Sequence, residues 1–312
     1  MMDWSDRHCR YFFRQLSPHS VVYTEMITTG ALVHGDVDRH LRFDAAEHPV
    51  ALQLGGSDPK ALAHCARLGE QYGYDEINLN CGCPSERVQH GAFGACLMAE
   101  PGLVAECVSA MREAVAIPIT VKHRLGIDSI ESYDFVCDFV AALAQAGCGA
   151  FIVHARNAIL KGLSPKANRE VPPLKYDYVH RLKRDFPQAC VIVNGGIEAI
   201  RQIDEQLGLV DGVMLGRVAY HDPYMLALAD ARVFGGAAPS REAVVERMNR
   251  YAITEAARGT PLRAIARHML GLYHGQPNAR AWRRTLSDAR LLALNDPALL
   301  LDAIPKPETA AA

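Results

Sequence analysis

The chain has 312 residues, which suits one large domain with a small appendage better than two equal domains. Its 49% hydrophobic and 22% charged residues make a globular composition, and the lack of any run of about 18 apolar residues excludes a helical membrane span. The net charge of −2 hides an asymmetry, because residues 241–312 hold 11 Lys/Arg against 7 Asp/Glu and the rest of the chain carries −6.

The first residues, Met1 to Arg7, lack the basic start and apolar stretch of a signal peptide. Nine cysteines, an odd number set in apolar surroundings, predict reduced thiols in a cytoplasmic protein rather than a disulfide framework. Cys81 and Cys83 have no second Cys/His pair at ligand spacing, so no metal site is expected.

A helical pattern opens the chain over residues 7–16. Short β-rich runs follow at 21–25, 50–54, 76–80, 119–122, 150–154, 191–194 and 212–215, separated by amphipathic stretches such as 59–72 and 101–116. Strand–helix alternation predicts an α/β fold with a parallel sheet. Seven strands are visible. An eight-stranded barrel needs one more, expected upstream of residue 1, since the helix over 7–16 begins at once. The competing architecture, a doubly wound open sheet, gathers its polar residues at one or two strand ends. Here they close nearly every strand, as Gln53, Asn80, Lys122, His154, Asn194 and Gly216-Arg217. That is how a (β/α)8 TIM barrel builds its active face.

Beyond Gly235-Gly236 the strand signal stops. Ser240 is expected to cap a helix from Arg241, with two or three further helices to about residue 303 and a frayed tail over 305–312. The chain therefore divides into a barrel over 1–235 and a small helical domain over 236–312. Seven arginines against one acid between Arg258 and Arg290 suit phosphate and base recognition.

Three groups carry chemistry. The turns Asn194-Gly195-Gly196 and Gly216-Arg217 close the last two strands, where barrels commonly bind phosphate on backbone N–H groups. Cys83 follows a strand in a Gly- and Pro-flanked loop, unlike the other cysteines, which read as small core residues. Lys122 and His154 end apolar strands, where a cation suits an anionic cofactor.

These residues together resemble the tRNA-dihydrouridine synthases. The likeness is carried by Tyr23-Thr24-Glu25-Met26, Gln53-Leu54-Gly55-Gly56-Ser57, Asn78-Leu79-Asn80 with Gly82-Cys83-Pro84-Ser85, and Thr120-Val121-Lys122. It continues through Val153-His154-Ala155-Arg156, Asn194-Gly195-Gly196 and Met214-Leu215-Gly216-Arg217. Leu163-Ser164-Pro165-Lys166 through Arg169, with Trp282-Arg283-Arg284, is similar to the subgroup acting on the tRNA D loop at position 20 or 20a. The resemblance implies FMN reduced by NADPH. It implies that Met1, Gln53, Lys122 and His154 contact the flavin and that Asn194, Gly195, Gly196, Gly216 and Arg217 hold its phosphate. It further implies that Cys83 is the proton donor, that Lys122 assists it, and that Asn80, Lys166, Arg169, Arg280 and Arg283 touch the D loop and elbow of tRNA. No obligate protein partner is implied.

Reducing the uracil 5,6 double bond needs a hydride at C6 and a proton at C5, and an ordinary thiol, with a pKa near 8.5, carries its proton at neutral pH. Two rival readings exist. A flavin barrel acting on a free pyrimidine accounts for the strand ends but not for the arginine-rich appendage, and a non-catalytic RNA-binding protein accounts for the reverse.

Overall fold

The computed structural model describes residues 1–306, so the tail expected to fray lies, past Lys306, outside the described residues. Eight strands form one sheet: β1 (Val22–Tyr23), β2 (Ile27–Thr28), β3 (Val50–Gly55), β4 (Glu76–Cys81), β5 (Ile119–His123), β6 (Ala150–His154), β7 (Cys190–Asn194) and β8 (Gly212–Met214). Their order is β1-β3-β4-β5-β6-β7-β8, with β2 also on β3, and the pairings from β2–β3 to β7–β8 are parallel. Strictly sequential neighbours are the TIM-barrel order, without the reversal of a doubly wound sheet. All seven expected strands are present. The expected upstream strand has no counterpart among the described residues, where β1 and β8 end the path.

Register and the two-residue pleat sort the side chains. Gln53 lies beside Asn78, Asn78 beside Thr120, Asn80 beside Lys122, and His154 beside Asn194, so these polar residues share one face of the sheet. Leu52, Ile77, Leu79, Val121, Val153 and Val193, all fully buried, point the other way. Helices cover that second face. A Cβ at Gly69, in the helix Pro59–Gln71, would come within 2.6 Å of Ile77 and 2.7 Å of Leu52. His123, on the same face, packs its ring 5.3 Å from Phe139 of the helix Tyr133–Gln145. Each fully buried aliphatic side chain there contributes roughly 1.5–3 kcal/mol, so the apolar face holds the sheet while the polar face is left for chemistry.

The chain groups into two compact units. One holds residue 1, 23–43 and 48–216; the other holds 2–22, 44–47 and the residues from 217 onward. The division thus falls at 216/217, whereas the sequence places its boundary at 235/236, and the second unit also takes in the helix Arg7–Leu16. Within that unit Arg7 pairs with Glu255 at 2.5 Å, Arg10 with Glu47 at 2.6 Å, and Arg267 with Asp6 at 2.6 Å. Ser240 caps the helix Arg241–Ala257 as expected, accepting from the Ala243 N–H at 3.1 Å. Among the described residues four helices follow it: Leu262–Met269, Ala279–Leu286, Ala289–Ala293 and Leu299–Asp302. The last two are single turns, too short to show the periodicity on which the expectation of two or three rested. No helix among the described residues is long and apolar enough to cross a membrane.

Candidate active site

The polar face of the sheet is wired by hydrogen bonds. Asn80, near the end of β4, accepts the N–H groups of Gly82 and Cys83 on its Oδ1 at 3.1 and 3.0 Å. Its Nδ2 donates to Gln53 Oε1 at 2.9 Å. Across the sheet, Lys122 Nζ donates to Asn194 Oδ1 at 3.1 Å, and Asn194 Nδ2 donates to the Met214 carbonyl at 2.8 Å. Four of the strand-end residues singled out in the sequence are therefore joined in two pairs on one face.

Cys83 sits two residues past β4 in a loop fixed from both sides. Its carbonyl accepts the Ala95 N–H at 2.9 Å, and a Cβ at Gly94 would lie 2.6 Å from that same oxygen. Gly94 also has φ +80°, so only glycine closes this loop without strain. Behind the loop the buried Arg124 donates to the carbonyls of Gly82 (2.9 Å), Asn157 (2.8 Å) and Asn168 (2.9 Å). One guanidinium thus ties the cysteine loop to the segment carrying Lys166 and Arg169. Arg124 carries no motif of its own in the sequence beyond its place two residues after Lys122.

Burial governs the titration of the site. Desolvation, with the nearby Arg124 charge, lowers the Lys122 pKa to about 8 against the pull of Cys83 in the other direction. The His154 imidazole is held well below its usual range by burial and then by the charges of Arg124, Lys122, Arg156 and Arg169. His154 is thus neutral at physiological pH in a field of four cations. Such a field invites an anion.

The glycine turn beside it is shaped for close approach. Gly195 and Gly196 have φ +107° and +70°. A Cβ at Gly195 would stand 2.5 Å from the His154 ring, and one at Gly196 would stand 2.4 Å from Leu174. Tyr176 donates to the Gly195 carbonyl at 2.6 Å and holds the turn in place.

Of the remaining expected residues, Arg169 adds its charge to the field at His154. Gly216 ends the first unit, whereas Arg217 opens the short helix Arg217–His221 of the second. Met1 is 37% exposed. Lys166 is exposed and precedes the single turn Ala167–Arg169, in which Arg169 is half-buried. Arg280 and Arg283 are exposed on the helix Ala279–Leu286, whose Trp282 is fully buried and donates to the Met269 carbonyl at 3.0 Å. With Gln276, Asn278 and Arg284 they line a shallow cavity of about 510 Å³. Two of the seven arginines counted in the sequence are engaged within the unit, Arg258 by Glu255 and Arg267 by Asp6.

A family model described as dihydrouridine synthase (Dus) matches residues 1–304. The chain belongs to the dihydrouridine synthase family. A tRNA-dihydrouridine(20/20a) synthase of Pseudomonas syringae is 57% identical over 304 residues, covering 97% of this chain and 90% of that protein. Proteins of the same name from Synechocystis and Escherichia coli are each 56% identical, covering 97% and 92% of this chain and 92% and 88% of their own lengths. Dihydrouridine carries two more hydrogens than uridine, so a dihydrouridine synthase is an oxidoreductase. The family's members are flavin enzymes, and the residues present fit such a cofactor. The cations around His154 and the close-approach turn at Gly195-Gly196 are suited to an anionic, phosphate-bearing group.

Proposed function

We propose that this dihydrouridine synthase uses FMN and NADPH to reduce a uridine at position 20 or 20a in the D loop of tRNA, acting in the cytoplasm without an obligate protein partner. The observation that carries the reading is the placement of Cys83. It is the half-buried thiol that follows the polar strand end of β4, pinned by Asn80 and electrostatically coupled to Lys122. FMN, when bound, supplies the two-electron reduction at uracil C6.

The chain's own residues do the rest. Gln53, Lys122 and His154 would line the flavin, with Met1 at its edge. Asn194, Gly195, Gly196, Gly216 and Arg217 would hold its phosphate through backbone N–H groups and one guanidinium. Cys83 donates its Sγ proton to uracil C5, and the Lys122 ammonium stabilises the negative charge that develops on the ring before that proton arrives. Asn80 fixes the thiol and faces the base. We assign the flavin and the target base to the barrel, residues 1–235, and the elbow of the tRNA to the helical domain, residues 236–312. Lys166 and Arg169 would meet the D loop, and Arg280 and Arg283 the phosphates of the elbow. A D-loop uridine is weakly stacked, so turning it out costs only a few kcal/mol.

The test is a pair of half-reactions. The purified protein should be yellow, NADPH should bleach it, and tRNA should restore the colour. Cys83→Ala should keep flavin and tRNA affinity and lose about two orders of magnitude or more in the tRNA-dependent step. Cys96→Ala should be close to neutral, because its thiol only donates to the Phe93 carbonyl in its own turn. An essential Cys96 with a dispensable Cys83 would assign the wrong thiol.

A further inference from the structure

Glu76, the first residue of β4, has no part in the chemistry described above, yet it ends a hydrogen-bond path that begins at the Cys83 loop. There Asn80 accepts two backbone N–H groups at 3.1 and 3.0 Å, which only its oxygen can do, so the orientation of its amide is fixed. Its nitrogen must then donate to Gln53 Oε1, at 2.9 Å. That assigns the Gln53 amide, whose Nε2 donates to Asn78 Oδ1 at 2.9 Å. Asn78 Nδ2 in turn donates to Thr120 Oγ1 at 2.8 Å. The Thr120 hydroxyl is left to give its hydrogen to Glu76 Oε1, at 2.5 Å. Gln53, Asn78, Asn80 and Thr120 are buried and Glu76 is half-buried, so the interior of the path is shielded from competing water.

We propose that Glu76 is a positioning residue: the terminal acceptor that holds this path in one direction and thereby orients Gln53, Asn80 and the Cys83 loop. The inference rests on the proposed reading, in which Gln53 meets the flavin and Cys83 protonates uracil. Held this way, Gln53 and Asn80 each retain one further N–H for a ligand. The site therefore presents donors to the carbonyl oxygens of a pyrimidinedione, a ring that flavin and uracil both carry. A reversed path would present carbonyls to carbonyls. A carboxylate only accepts, which makes it suited to the end of the path.

Tyr23 provides the control, because it donates to the same Glu76 oxygen at 2.9 Å from off the path. The apoprotein is compared as wild type, Thr120→Val, Tyr23→Phe, Glu76→Ala and Glu76→Gln. Two properties are read: alkylation of Cys83 by iodoacetamide, followed by peptide mass spectrometry, and FMN binding by quenching of flavin fluorescence. Thr120→Val and Glu76→Ala should change the Cys83 alkylation rate about threefold or more and weaken FMN binding about tenfold, the scale of one or two mis-set hydrogen bonds. Glu76→Gln, which keeps an acceptor oxygen, should restore both. Tyr23→Phe should leave both within about twofold of wild type while lowering thermal stability as much as Thr120→Val does. Equal effects of Thr120→Val and Tyr23→Phe, or an unchanged Cys83 rate in Thr120→Val, would overturn the proposal and reduce Glu76 to a packing role. The alkylation arm uses neither flavin nor RNA. A failed FMN titration in the wild type would count against the functional reading, and the Cys83 alkylation rates would then decide the role of Glu76 by themselves.

Discussion

Lys122 is the residue whose charge state the fold alters most usefully. Its pKa falls from the ordinary 10.5 to about 8 because burial disfavours the ammonium. Between about pH 8 and 10.5 the unfolded chain holds a proton that the folded chain has released. The folded apoprotein should therefore gain stability as pH rises across that window, a gain that Lys122→Met should lack in denaturant titrations followed at several pH values. Affinity for an anionic flavin should run the opposite way. The FMN dissociation constant should rise above about pH 8 in the wild type as Lys122 loses its charge, and stay flatter in Lys122→Met. His154 adds no slope here, because its burial and neighbouring cations keep it neutral throughout.

Such residues were legible in the sequence to different degrees. Lys122, His154 and Asn194 stood out because each is a polar residue ending an apolar run. Asn78 and Thr120 sit inside strands, where a polar residue on the alternate position reads as a solvated face. The signal was the two-residue spacing of Glu76, Asn78 and Asn80, but its meaning depends on β4 pairing with β5. Arg124 was hidden for another reason: it binds only backbone carbonyls, so no complementary side chain in the sequence points to it.

At the scale of elements, strands and long helices followed from periodicity, while the turns that shape the site did not. The pattern over residues 7–16 becomes the helix Arg7–Leu16, and 101–116 becomes Pro101–Ala114. By contrast β2, two residues long, has no pattern to detect; it exists because Ile27 and Thr28 lie beside Leu54 and Gly55. The loop from Cys83 to Ala95 is the element on which catalysis would depend most. Gly94→Ala should strain a φ of +80° and push a methyl against Val88, 2.4 Å away, and the Cys83 carbonyl. Such strain is worth about 1–3 kcal/mol. Melting temperature and tRNA-dependent turnover should both fall, while the NADPH half-reaction should be spared, since it does not need the thiol. A Gly94→Ala enzyme with full turnover would detach the loop's geometry from the chemistry.

For the molecule as a whole, the charge asymmetry is the feature that bears on RNA. Residues 241–312 carry +4 within a chain of net −2. Exposed Arg280 and Arg283 lie three apart on one helix and so share a face. Replacing both with alanine should remove about two phosphate contacts and flatten the slope of log affinity against log salt by roughly 1.4–1.8. Reduction of the flavin by NADPH should be unchanged. An unaltered salt slope in a well-folded double variant would place the RNA contact on another surface.

The second compact unit is drawn from both ends of the chain. Arg7 finds Glu255, and Asp6 finds Arg267 and His268, across some 250 positions of sequence. The strands between them pair with near neighbours and can associate as they leave the ribosome. The opening helix has to wait. Its buried Arg10 and Arg14 meet Glu47 early, at 2.6 Å and through the Glu47 carbonyl, whereas Tyr251 and Glu255 arrive only when synthesis is almost complete. Ordering of the N-terminal segment is thereby coupled to the presence of the C-terminal helices. A nascent or truncated chain that ends before them would carry an unburied amphipathic helix, the kind of surface that chaperones and proteases recognise.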